Sequence, residues 1–589
     1  MAQRCNLWHF SLALATMLLI GSASFVYVAN GMLSDVDSYM RLVRIQEALD
    51  HGTWFGDAVS RYDSGRGVIV PWSHVLDGAI LLLRMPLQLF LPADQALFWA
   101  AAAVGPLSVG LLGMLCAWAA APLTKGQWLW VAPVLAASMV PIASYGLLGD
   151  ATHHVLLAVL AVGAWGAGGR AAFGNIRGGV LLGLFSGAGI WLSPEAMPFG
   201  MMAFGAVFLS WLGRPAQRVA SALGAAGSVL FAVVAFGLLV DPPNAGWDVP
   251  EVDRLSVNFL CLALIVFAMS WVPRGLAALH FSTGLRFVTL GILGVAGVVL
   301  WLTLFPTYLR GYAALMTPEE VAAFFSDNTE LQPIRTPLIF LQNLGPAVLA
   351  VAGAFILGLR EVRRLPGLLW IYAGTCGVAG IALACVYVRF ASYPAVAAAI
   401  MLPVLLAYAS DPALQRWHTL LRPALLAIFL VIPTFLAFSI APEVEGAGQS
   451  ADRKQCRVKD SVPLLAPYPG AVVLANVNEG PELLYRTRIQ IVGSIYHEGI
   501  AGFMRLRAAW NARDLTTVPP EVRATDARFI LICPGAPAGT AIVFGPATTL
   551  LDRLNRNDPP PWLHSVAPAQ EHGWVLYEID PVGGTVSIQ

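Results

Sequence analysis

The chain has 589 residues, of which 57% are hydrophobic and only 12% charged, and its mean hydropathy is +0.68. This composition excludes an ordinary soluble domain and predicts a polytopic α-helical membrane protein. Its 35 basic residues balance 35 acidic ones, so the net charge is zero. Nucleic acid is therefore not expected as a partner, because proteins that bind a phosphate backbone usually carry a basic surplus.

Thirteen apolar runs are long enough to cross the hydrocarbon core of a bilayer, which takes about 20 residues of helix. The first run has about 22 apolar residues, more than the roughly 7 to 15 of a signal-peptide core, so we expect an uncleaved span with Arg4 holding the N-terminus in the cytoplasm. The predicted spans lie near 8–30, 97–121, 127–147, 152–168, 178–193, 196–213, 219–240, 256–272, 287–306, 337–358, 366–388, 390–408 and 423–441.

Basic residues give the orientation, because Lys and Arg collect in the short cytoplasmic loops of membrane proteins. With the N-terminus inside, the short outer segments contain only Arg254, Arg310, Arg335 and Arg389. The same rule decides the apolar but interrupted stretch 75–92, because counting it as a span would put every later basic loop outside. We expect that stretch to be an amphipathic or re-entrant segment at the membrane interface.

Two domains follow from this topology. Residues 1–441 are predicted to form a transmembrane domain with long outer loops at 31–96 and 307–336, and residues 442–589 a C-terminal domain on the same outer side. The C-terminal part is richer in charge and proline, and strand-like pieces alternate there with helical or loop stretches, which predicts a small α/β domain. The strand-like pieces are "AVVLANV" (471–477), "IQIVGSIY" (489–496), "RFILICPG" (528–535) and "WVLYEID" (574–580).

Cys456 and Cys533 are the two cysteines of the outer domain, in a compartment that allows a disulfide. Whether they are joined or free stays open at this point, because the sequence does not give the distance between their Cα atoms. The other five cysteines lie in or beside spans and are expected to pack as small apolar side chains. No cysteine or histidine spacing suggests zinc.

Polar residues gather at the predicted outer membrane face. Each cluster alone has an ordinary explanation, since carboxylates at loop ends are commonly solvated or cap a helix. Arg389 is harder to explain in this way, because a charge so close to hydrocarbon usually has a partner or a ligand. The clusters are Asp35 and Asp37 in "LSDVDSYMRLVR", Asp150, His153 and His154 in "LGDATHHVLL", Glu195 in "LSPEAMP", Asp327 and Glu330 in "FSDNTELQPIR", and Arg389 in "VRFASYP".

Taken together, the clusters suit one kind of chemistry. Several carboxylates and an arginine at one membrane face are the ligands expected for a divalent cation such as Mg²⁺ or Mn²⁺ beside a phosphate or pyrophosphate. A metal ion and an arginine would stabilise charge on a departing phosphate, which is the chief demand of transferring a sugar from a lipid carrier.

In these features the chain resembles the GT-C membrane glycosyltransferases. The likeness is greatest to the catalytic subunit of oligosaccharyltransferase and its single-subunit bacterial and archaeal counterparts, which have thirteen spans and an outer C-terminal domain. Asp37-Ser38-Tyr39 resembles the acidic motif of the family's first outer loop, and Asp150 is similar to its second acidic position. "NTELQP" (328–333) resembles the motif whose Glu, here Glu330, approaches metal and acceptor. "RFASY" (389–393) resembles the segment whose Arg binds the lipid-linked pyrophosphate.

One family motif is missing. The "WWDYG" box, which reads the Ser or Thr of an Asn-x-Ser/Thr acceptor, is expected early in the outer domain, but the stretch there, "LANVNEGPELLYRT" (474–487), has no tryptophan. That stretch and the following "YHEGIAGFMRL", which contains His497, are similar to uncharacterised bacterial relatives. The resemblance implies a multi-pass protein of the bacterial inner membrane with a periplasmic C-terminal domain, and it leaves the acceptor open.

The function we predict is transfer of a sugar or oligosaccharide from a polyprenyl-(di)phosphate donor to a periplasmic glycan, lipid or protein acceptor, among membrane lipids and with a divalent cation. Asp37, Asp150 and Glu330 are the predicted catalytic and metal-binding residues. Arg389 and His154 are predicted to bind the donor phosphate. Further candidates are Asp35, His153, Glu195 and His497.

Two alternatives stay open. An exporter of lipid-linked glycans or a scaffold without chemistry is possible, although an exporter is expected to carry charges near the middle of several spans. Within the enzymes, the chain could be an O-mannosyltransferase-like or lipid A-modifying GT-C transferase.

Overall fold

The computed structural model describes residues 6–52, 58–124, 128–213, 215–244, 246–279, 281–360, 367–409, 418–432, 435–436, 456–534, 548–566 and 573–581. The chain divides into two compact units. We call the first the helical unit, which comprises Met1–Ser34, Trp72–Gly311 and Glu330–Glu445. We call the second the sheet unit, which comprises Asp35–Pro71, Tyr312–Thr329 and Gly446–Gln589.

Long apolar helices make up most of the helical unit. The helices of its first half, long and short, are α1 (Leu7–Ile20), α2 (Ser22–Ala29), α4 (Val75–Leu87), α5 (Ala93–Ala102), α6 (Val104–Ala120), α7 (Val131–Ser138), α8 (Val140–Ala143), α9 (His154–Ala171) and α10 (Ile176–Leu192). Helix α3 (Val36–His51), which lies between α2 and α4 in the chain, belongs to the sheet unit. The helices of its second half are α11 (Met197–Gly213), α12 (Gln217–Val240), α13 (Val257–Ala278), α14 (Thr283–Leu304), α16 (Pro337–Arg360), α17 (Gly367–Val386), α18 (Ser392–Ala409) and α19 (His418–Leu426). Helix α15 (Pro318–Asp327), which lies between α14 and α16 in the chain, belongs to the sheet unit.

Eight helical segments among the described residues are long and apolar enough to cross a membrane. A ninth is obtained if α1 and α2, which meet at a bend of 72°, count as one span. The chain is therefore a membrane protein in composition and in helix length, while the predicted number of thirteen spans is not confirmed. In the last predicted span, near 423–441, residues 433–434 and 437–441 lie outside the described residues.

The predicted span near 127–147 is broken. Where the chain is described there, it forms the two short helices α7 and α8, separated at Met139, whose extended backbone has φ −68° and ψ 127°. Pro141 follows in the first turn of α8, where the missing N–H of proline is tolerated. The run of apolar residues predicted one helix here, but the backbone turns at Met139. The loop that follows α8 carries residues of the candidate site.

The stretch 75–92 contains α4 rather than a span. Thirteen residues of helix are too short to cross a bilayer, and four apolar side chains at its end, Leu82, Met85, Leu89 and Phe90, are each more than 60% exposed. This arrangement fits a helix that lies at a membrane surface.

A seam of glycines joins α10 to α12. A Cβ placed on Gly179 would lie 2.1 Å from the Ala222 carbonyl oxygen, and one on Gly183 would lie 2.3 Å from the Ala226 oxygen. Only glycine permits the two backbones to approach this closely, as is common where helices pack in membranes. The seam fixes the spacing of the helices whose ends border the candidate site.

The sheet unit contains a five-stranded mixed sheet. Its strand order is β4-β3-β5-β7-β6, with β3 parallel to β4 and β5, and β7 antiparallel to both of its neighbours. The strands are β3 (Val472–Leu474), β4 (Gln490–Ile491), β5 (Phe529–Ile532), β6 (Leu563–Ser565) and β7 (Val575–Ile579). Its helices are α3, α15, α20 (Val458–Leu465), α21 (Gly480–Arg486), α22 (Ile500–Trp510), α23 (Pro520–Arg523) and α24 (Leu550–Asn555).

Two outer loops of the predicted membrane domain pack within the sheet unit. The first loop forms a small hairpin of β1 (Ala58–Val59) and β2 (Val68–Ile69), and the Ile491 N–H of β4 donates to the Arg61 carbonyl over 3.0 Å. From the second loop, Ala323 of α15 joins the hydrophobic core of this unit. The sheet unit is thus built from the C-terminal segment together with two loops that are distant from it in sequence.

Cys456 and Cys533 form a disulfide in the sheet unit, and their Cα atoms are 5.9 Å apart. The bond ties the residues before α20 to the end of β5, closing a separation of 77 residues. A crosslink over a long loop stabilises a small domain mainly by restricting its unfolded chain.

Candidate functional site

The turn 144–153 before α9 carries Asp150 at a fixed position. Gly149 has a φ of +99°, a backbone conformation that glycine adopts without strain, and its N–H donates to the Ala102 carbonyl over 2.9 Å. The Gly105 N–H donates to the Asp150 carbonyl over 3.0 Å. Backbone bonds to the junction of α5 and α6 therefore hold the turn in place.

The Asp150 side chain is buried, with only 3% of the residue exposed. Its Oδ1 accepts hydrogen bonds from the Thr152 backbone N–H over 2.8 Å and from the Thr152 hydroxyl over 2.7 Å. Such a local turn, in which an Asp side chain binds the backbone two residues on, sets the direction of the carboxylate.

Aromatic rings line the start of α9. His153 and His154 stack with ring centroids 4.8 Å apart, and the Tyr145 ring lies 4.4 Å from that of His154. Both histidines are buried, so their orientation is set by packing.

Glu330 meets this group from a short 3-10 turn, Thr329–Leu331, ahead of α16. The Tyr145 hydroxyl donates a hydrogen bond of 2.7 Å to Glu330 Oε1, and His154 Nε2 lies 4.0 Å from Glu330 Oε2. The Glu330 side chain keeps 35% of its surface exposed, whereas His154 keeps 9%. The carboxylate is thus fixed from one side and accessible from another.

Opposing effects act on the ionisation of Glu330. Burial by itself would raise the pKa of the carboxyl, but the nearby His154, the Arg389 charge and the hydrogen bond from Tyr145 outweigh it and hold the pKa below its usual value. Glu330 is therefore a carboxylate at neutral pH, able to accept a hydrogen bond or bind a cation.

Arg389 lies in the 3-10 turn Val388–Ala391 between α17 and α18. Its guanidinium donates to Glu195 Oε1 over 2.8 Å, and both side chains are mostly buried. Glu195 lies in another 3-10 turn, Pro194–Ala196, at the end of α10. The ion pair fixes one edge of the planar guanidinium, which has five donors in all.

Backbone hydrogen bonds join the segment after Glu330 to the turn of Arg389. The Val388 N–H donates to the Gln332 carbonyl over 3.1 Å, and the Ile334 N–H donates to the Cys385 carbonyl over 3.3 Å. The two segments are 50 or more residues apart in the chain, yet they are held side by side. The helical unit thus brings Glu330, His154 and Tyr145 together next to Arg389 and Glu195.

Asp35, Asp37 and His497 belong to the sheet unit. Asp35 is the N-cap of α3, and its carboxylate accepts from the Asp37 N–H over 3.0 Å. Asp37 Oδ1 accepts from the Tyr496 hydroxyl over 2.8 Å. Burial and the Asp37 carboxylate raise the pKa of Tyr496 well above its usual value, so Tyr496 keeps its proton and donates it. His497 follows directly and makes an edge contact with the Phe324 ring.

The segment 474–487, where the resemblance predicts a "WWDYG" box, forms a polar cluster around α21. Arg486 donates to Glu482 over 2.6 Å and to the Tyr39 hydroxyl over 3.1 Å. Glu479 accepts from the Asn476 N–H over 3.1 Å, and burial raises its pKa to about 7 despite that hydrogen bond. The cluster therefore contains carboxyl, amide and guanidinium groups.

Two tyrosines of the site were not predicted from the sequence. Tyr145 precedes Asp150 by five residues in the same predicted outer turn, and Tyr496 directly precedes His497. The available signal was that each tyrosine lies close in sequence to a candidate residue. The hydrogen-bond partner of each tyrosine is far away in sequence, however, by 185 residues for Tyr145 and 459 for Tyr496.

The fold is similar to that of solved archaeal oligosaccharyltransferase structures. One match is the archaeal oligosaccharyltransferase AglB from Archaeoglobus fulgidus in complex with an inhibitory peptide and a dolichol-phosphate, with a TM-score of 0.67, 11% identity, and coverage of 89% of this chain and 69% of that one. No family model and no curated protein matches the sequence.

Two further structures of the Archaeoglobus fulgidus oligosaccharyltransferase match. One is tethered to an acceptor peptide containing the NVT sequon via a disulfide bond, with a TM-score of 0.61, 10% identity, and coverage of 89% of this chain and 69% of that one. The other is a complex with Zn and sulfate, with a TM-score of 0.57, 10% identity, and coverage of 85% and 64%. At these identities the likeness shows the fold.

Four residues of the helical unit carry ligand types that divalent cations take, although among the described residues they do not bring three ligand atoms close enough to share one ion. Asp150 and Glu330 offer carboxylate oxygens, and His153 and His154 offer imidazole nitrogens. Oxygen ligands suit Mg²⁺ and Mn²⁺, and mixed oxygen and nitrogen ligands suit Mn²⁺ and Zn²⁺.

Proposed function

We propose that the protein transfers a sugar or oligosaccharide from a polyprenyl-(di)phosphate donor to an acceptor outside the cytoplasmic membrane of a bacterium. The observation that carries this proposal is that an accessible carboxylate, Glu330, and an arginine, Arg389, lie on two segments joined by backbone hydrogen bonds, in a fold similar to that of solved oligosaccharyltransferases. The similar archaeal oligosaccharyltransferase has been solved in complex with an inhibitory peptide and a dolichol-phosphate, and tethered to an acceptor peptide containing the NVT sequon.

Arg389 would bind the donor phosphate. Glu195 contacts the guanidinium, and a guanidinium forms strong charge-assisted hydrogen bonds with phosphate oxygens, which would favour departure of the phosphate as its charge grows. His154, buried beside Glu330, is the second candidate for this contact.

Glu330 would orient the acceptor. Its ionised carboxylate can accept a hydrogen bond from an acceptor hydroxyl or amide and hold the nucleophilic atom near the anomeric carbon. Tyr145 keeps Oε1 in one direction, so the acceptor would approach on the exposed side of the carboxylate. Asp150, and Asp37 as a prediction from the sequence, would complete the acidic set.

Asp150 and Glu330 would hold a divalent cation, for which Mg²⁺ and Mn²⁺ are the proposed identities. When bound, the cation would neutralise charge on the donor phosphate. The periplasm is the proposed location of the sheet unit, and the disulfide Cys456–Cys533 supports it because such bonds persist in oxidising compartments.

The test is release of polyprenyl phosphate or diphosphate from synthetic lipid-linked sugars by the purified protein in nanodiscs. We expect turnover of one donor class, loss on adding EDTA and recovery with Mg²⁺ or Mn²⁺. Arg389→Gln is expected to reduce turnover by about 100-fold or more, whereas Arg310→Gln, a change at an exposed outer arginine, leaves it unchanged. Indifference to EDTA would overturn the role of the metal, and full turnover by Arg389→Gln would overturn the role of Arg389.

A further inference from the structure

A second charged cluster lies in the helical unit, away from Glu330. It consists of His74, Trp191, Asp241 and Arg254, which we call the Asp241 cluster. Asp241 is 2% exposed and Arg254 is 3% exposed. Burying two charges is costly unless they are paired and fully hydrogen-bonded, so a cluster of this kind requires an explanation.

Asp241 accepts four hydrogen bonds. Its Oδ1 accepts from His74 Nδ1 over 2.7 Å and from the Arg254 guanidinium over 2.6 Å. Its Oδ2 accepts from the His74 backbone N–H over 2.9 Å and from Trp191 Nε1 over 3.0 Å. Burial alone would raise the pKa of Asp241, but the His74 hydrogen bond and the Arg254 charge hold it well below its usual value.

The cluster joins four elements at one place. His74 begins α4, Trp191 lies in the last turn of α10, Asp241 ends α12, and Arg254 lies in the loop before α13. The Ser73 hydroxyl adds a bond of 3.1 Å to the Leu192 carbonyl. The end of α10 is therefore held from two sides, by Asp241 through an indole and by Ser73 through the backbone.

Glu195 follows this anchored end within three residues. The Ser193 hydroxyl accepts from the Glu195 N–H over 3.5 Å, and the Glu195 carboxylate binds Arg389 over 2.8 Å. A chain of contacts therefore runs from Asp241 through Trp191 and the end of α10 to the guanidinium that the proposed mechanism uses.

We propose that the Asp241 cluster is a positioning device for donor binding. By fixing the end of α10 it places Glu195, and through Glu195 it keeps Arg389 aimed at the phosphate of the lipid donor. This inference rests on the proposed role of Arg389 in holding that phosphate. Substitution of Trp191 tests this role with the smallest change in packing, because Trp191→Phe removes one N–H and keeps an aromatic ring that packs against Phe236.

The experiment measures binding of undecaprenyl phosphate to the full-length protein in nanodiscs by microscale thermophoresis. Trp191→Phe is expected to weaken binding roughly tenfold, the effect of one hydrogen bond to a charged group. Glu195→Gln is expected to weaken it to a similar extent, and the double variant no further than Glu195→Gln alone, because both changes act on the same guanidinium. Trp562→Phe, which also removes a buried indole donor, is the matched control and is expected to bind as wild type.

His74 supplies a second comparison. His74→Leu removes the donor to Asp241 and is expected to weaken binding, whereas His74→Asn keeps a donor near the Nδ1 position and should recover most of the lost affinity. Additive effects of Trp191→Phe and Glu195→Gln, equal losses in both His74 variants, or no binding by wild type would each overturn the positioning role. Binding without turnover of any lipid-linked sugar would instead overturn the proposed function and leave the positioning role standing.

Discussion

Glu330 and Tyr145 are 185 residues apart in the chain, yet they form one hydrogen-bonded pair. Glu330 was predicted from the sequence because "NTELQP" resembles a motif of the oligosaccharyltransferases. Tyr145 carried no such signal, since a lone tyrosine at the end of an apolar run is commonly an interfacial residue. Hydrogen bonds between distant segments are set by helix packing, which the local pattern of residues does not encode.

Removing the Tyr145 hydroxyl should change the pH dependence of the reaction. The hydroxyl stabilises ionised Glu330, so Tyr145→Phe is expected to raise the pKa of Glu330 and move the acidic limb of the rate profile to higher pH. At acidic pH we expect a rate up to roughly tenfold below wild type, with a smaller loss at neutral pH. A pH profile of donor turnover checks this, with Tyr468→Phe of the sheet unit as the control. An unshifted acidic limb would show that Tyr145 does not act through Glu330.

Glu479 makes the stability of the sheet unit pH-dependent. Its pKa of about 7 when folded exceeds the usual 4.5, so the unfolded chain loses this proton first and stability falls as the pH rises from about 4.5 to 7. Glu479→Gln should remove this loss, which is of the order of 3 kcal/mol.

Thermal melting of the full chain at several pH values measures the effect of Glu479→Gln. We expect the variant to melt above wild type at pH 7.5 and together with it near pH 4.5. Glu521→Gln, at an exposed position, is the control. A constant difference between Glu479→Gln and wild type at all pH values would contradict the assigned cause.

At the scale of elements, the seam between α10 and α12 is expected to be sensitive to substitution. Gly183→Ala would bring a methyl group within 2.3 Å of a backbone oxygen, which no change of rotamer can relieve. We expect destabilisation of about 1 to 3 kcal/mol, seen as a lower melting temperature. Gly205→Ala in α11, where no atom of the described residues lies within 4 Å of the added carbon, should leave stability unchanged or slightly raised. Equal effects at the two positions would show that the close approach is not required.

Helices were predictable from apolar runs wherever nothing interrupts them. The predicted spans near 219–240 and 337–358 coincide closely with α12 and α16, and the span near 97–121 covers the second half of α5 and all of α6. The run near 127–147 was mispredicted as one helix, because hydropathy counts residues and does not record where the backbone turns away. The break at Met139 matters for the site, since the loop that follows carries Tyr145 and Asp150.

At the scale of the whole molecule, composition and hydropathy predicted a helical membrane protein with a folded C-terminal segment. They did not predict that two loops of the membrane domain would pack with that segment. Ala323 and Tyr62 are buried in the sheet unit, but from the sequence they were ordinary loop residues. Such packing depends on tertiary contacts over several hundred residues, for which a single sequence gives no periodic signal.

The disulfide is expected to stabilise the sheet unit by about 2 to 5 kcal/mol, because it closes a long loop. The double variant Cys456→Ser/Cys533→Ser should melt at a lower temperature than wild type and should not respond to a reductant that lowers the wild-type value. Cys385→Ser changes a cysteine outside any disulfide and is the control. Melting of the double variant at the wild-type temperature would contradict a stabilising role.

Transfer of the sugar itself is the central claim. The most direct measurement is a single-turnover assay in nanodiscs with a polyprenyl-linked sugar carrying an isotopic label and a cell-envelope extract that supplies the acceptor, following the label as it passes from the lipid carrier to the acceptor or to water. Wild type and Glu319→Gln, a change in the first turn of α15, are predicted to release the label at the same rate, and Glu330→Gln at least about 100-fold more slowly. Release by Glu330→Gln at the wild-type rate, or no release by wild type from either monophosphate or diphosphate donors, would contradict the account.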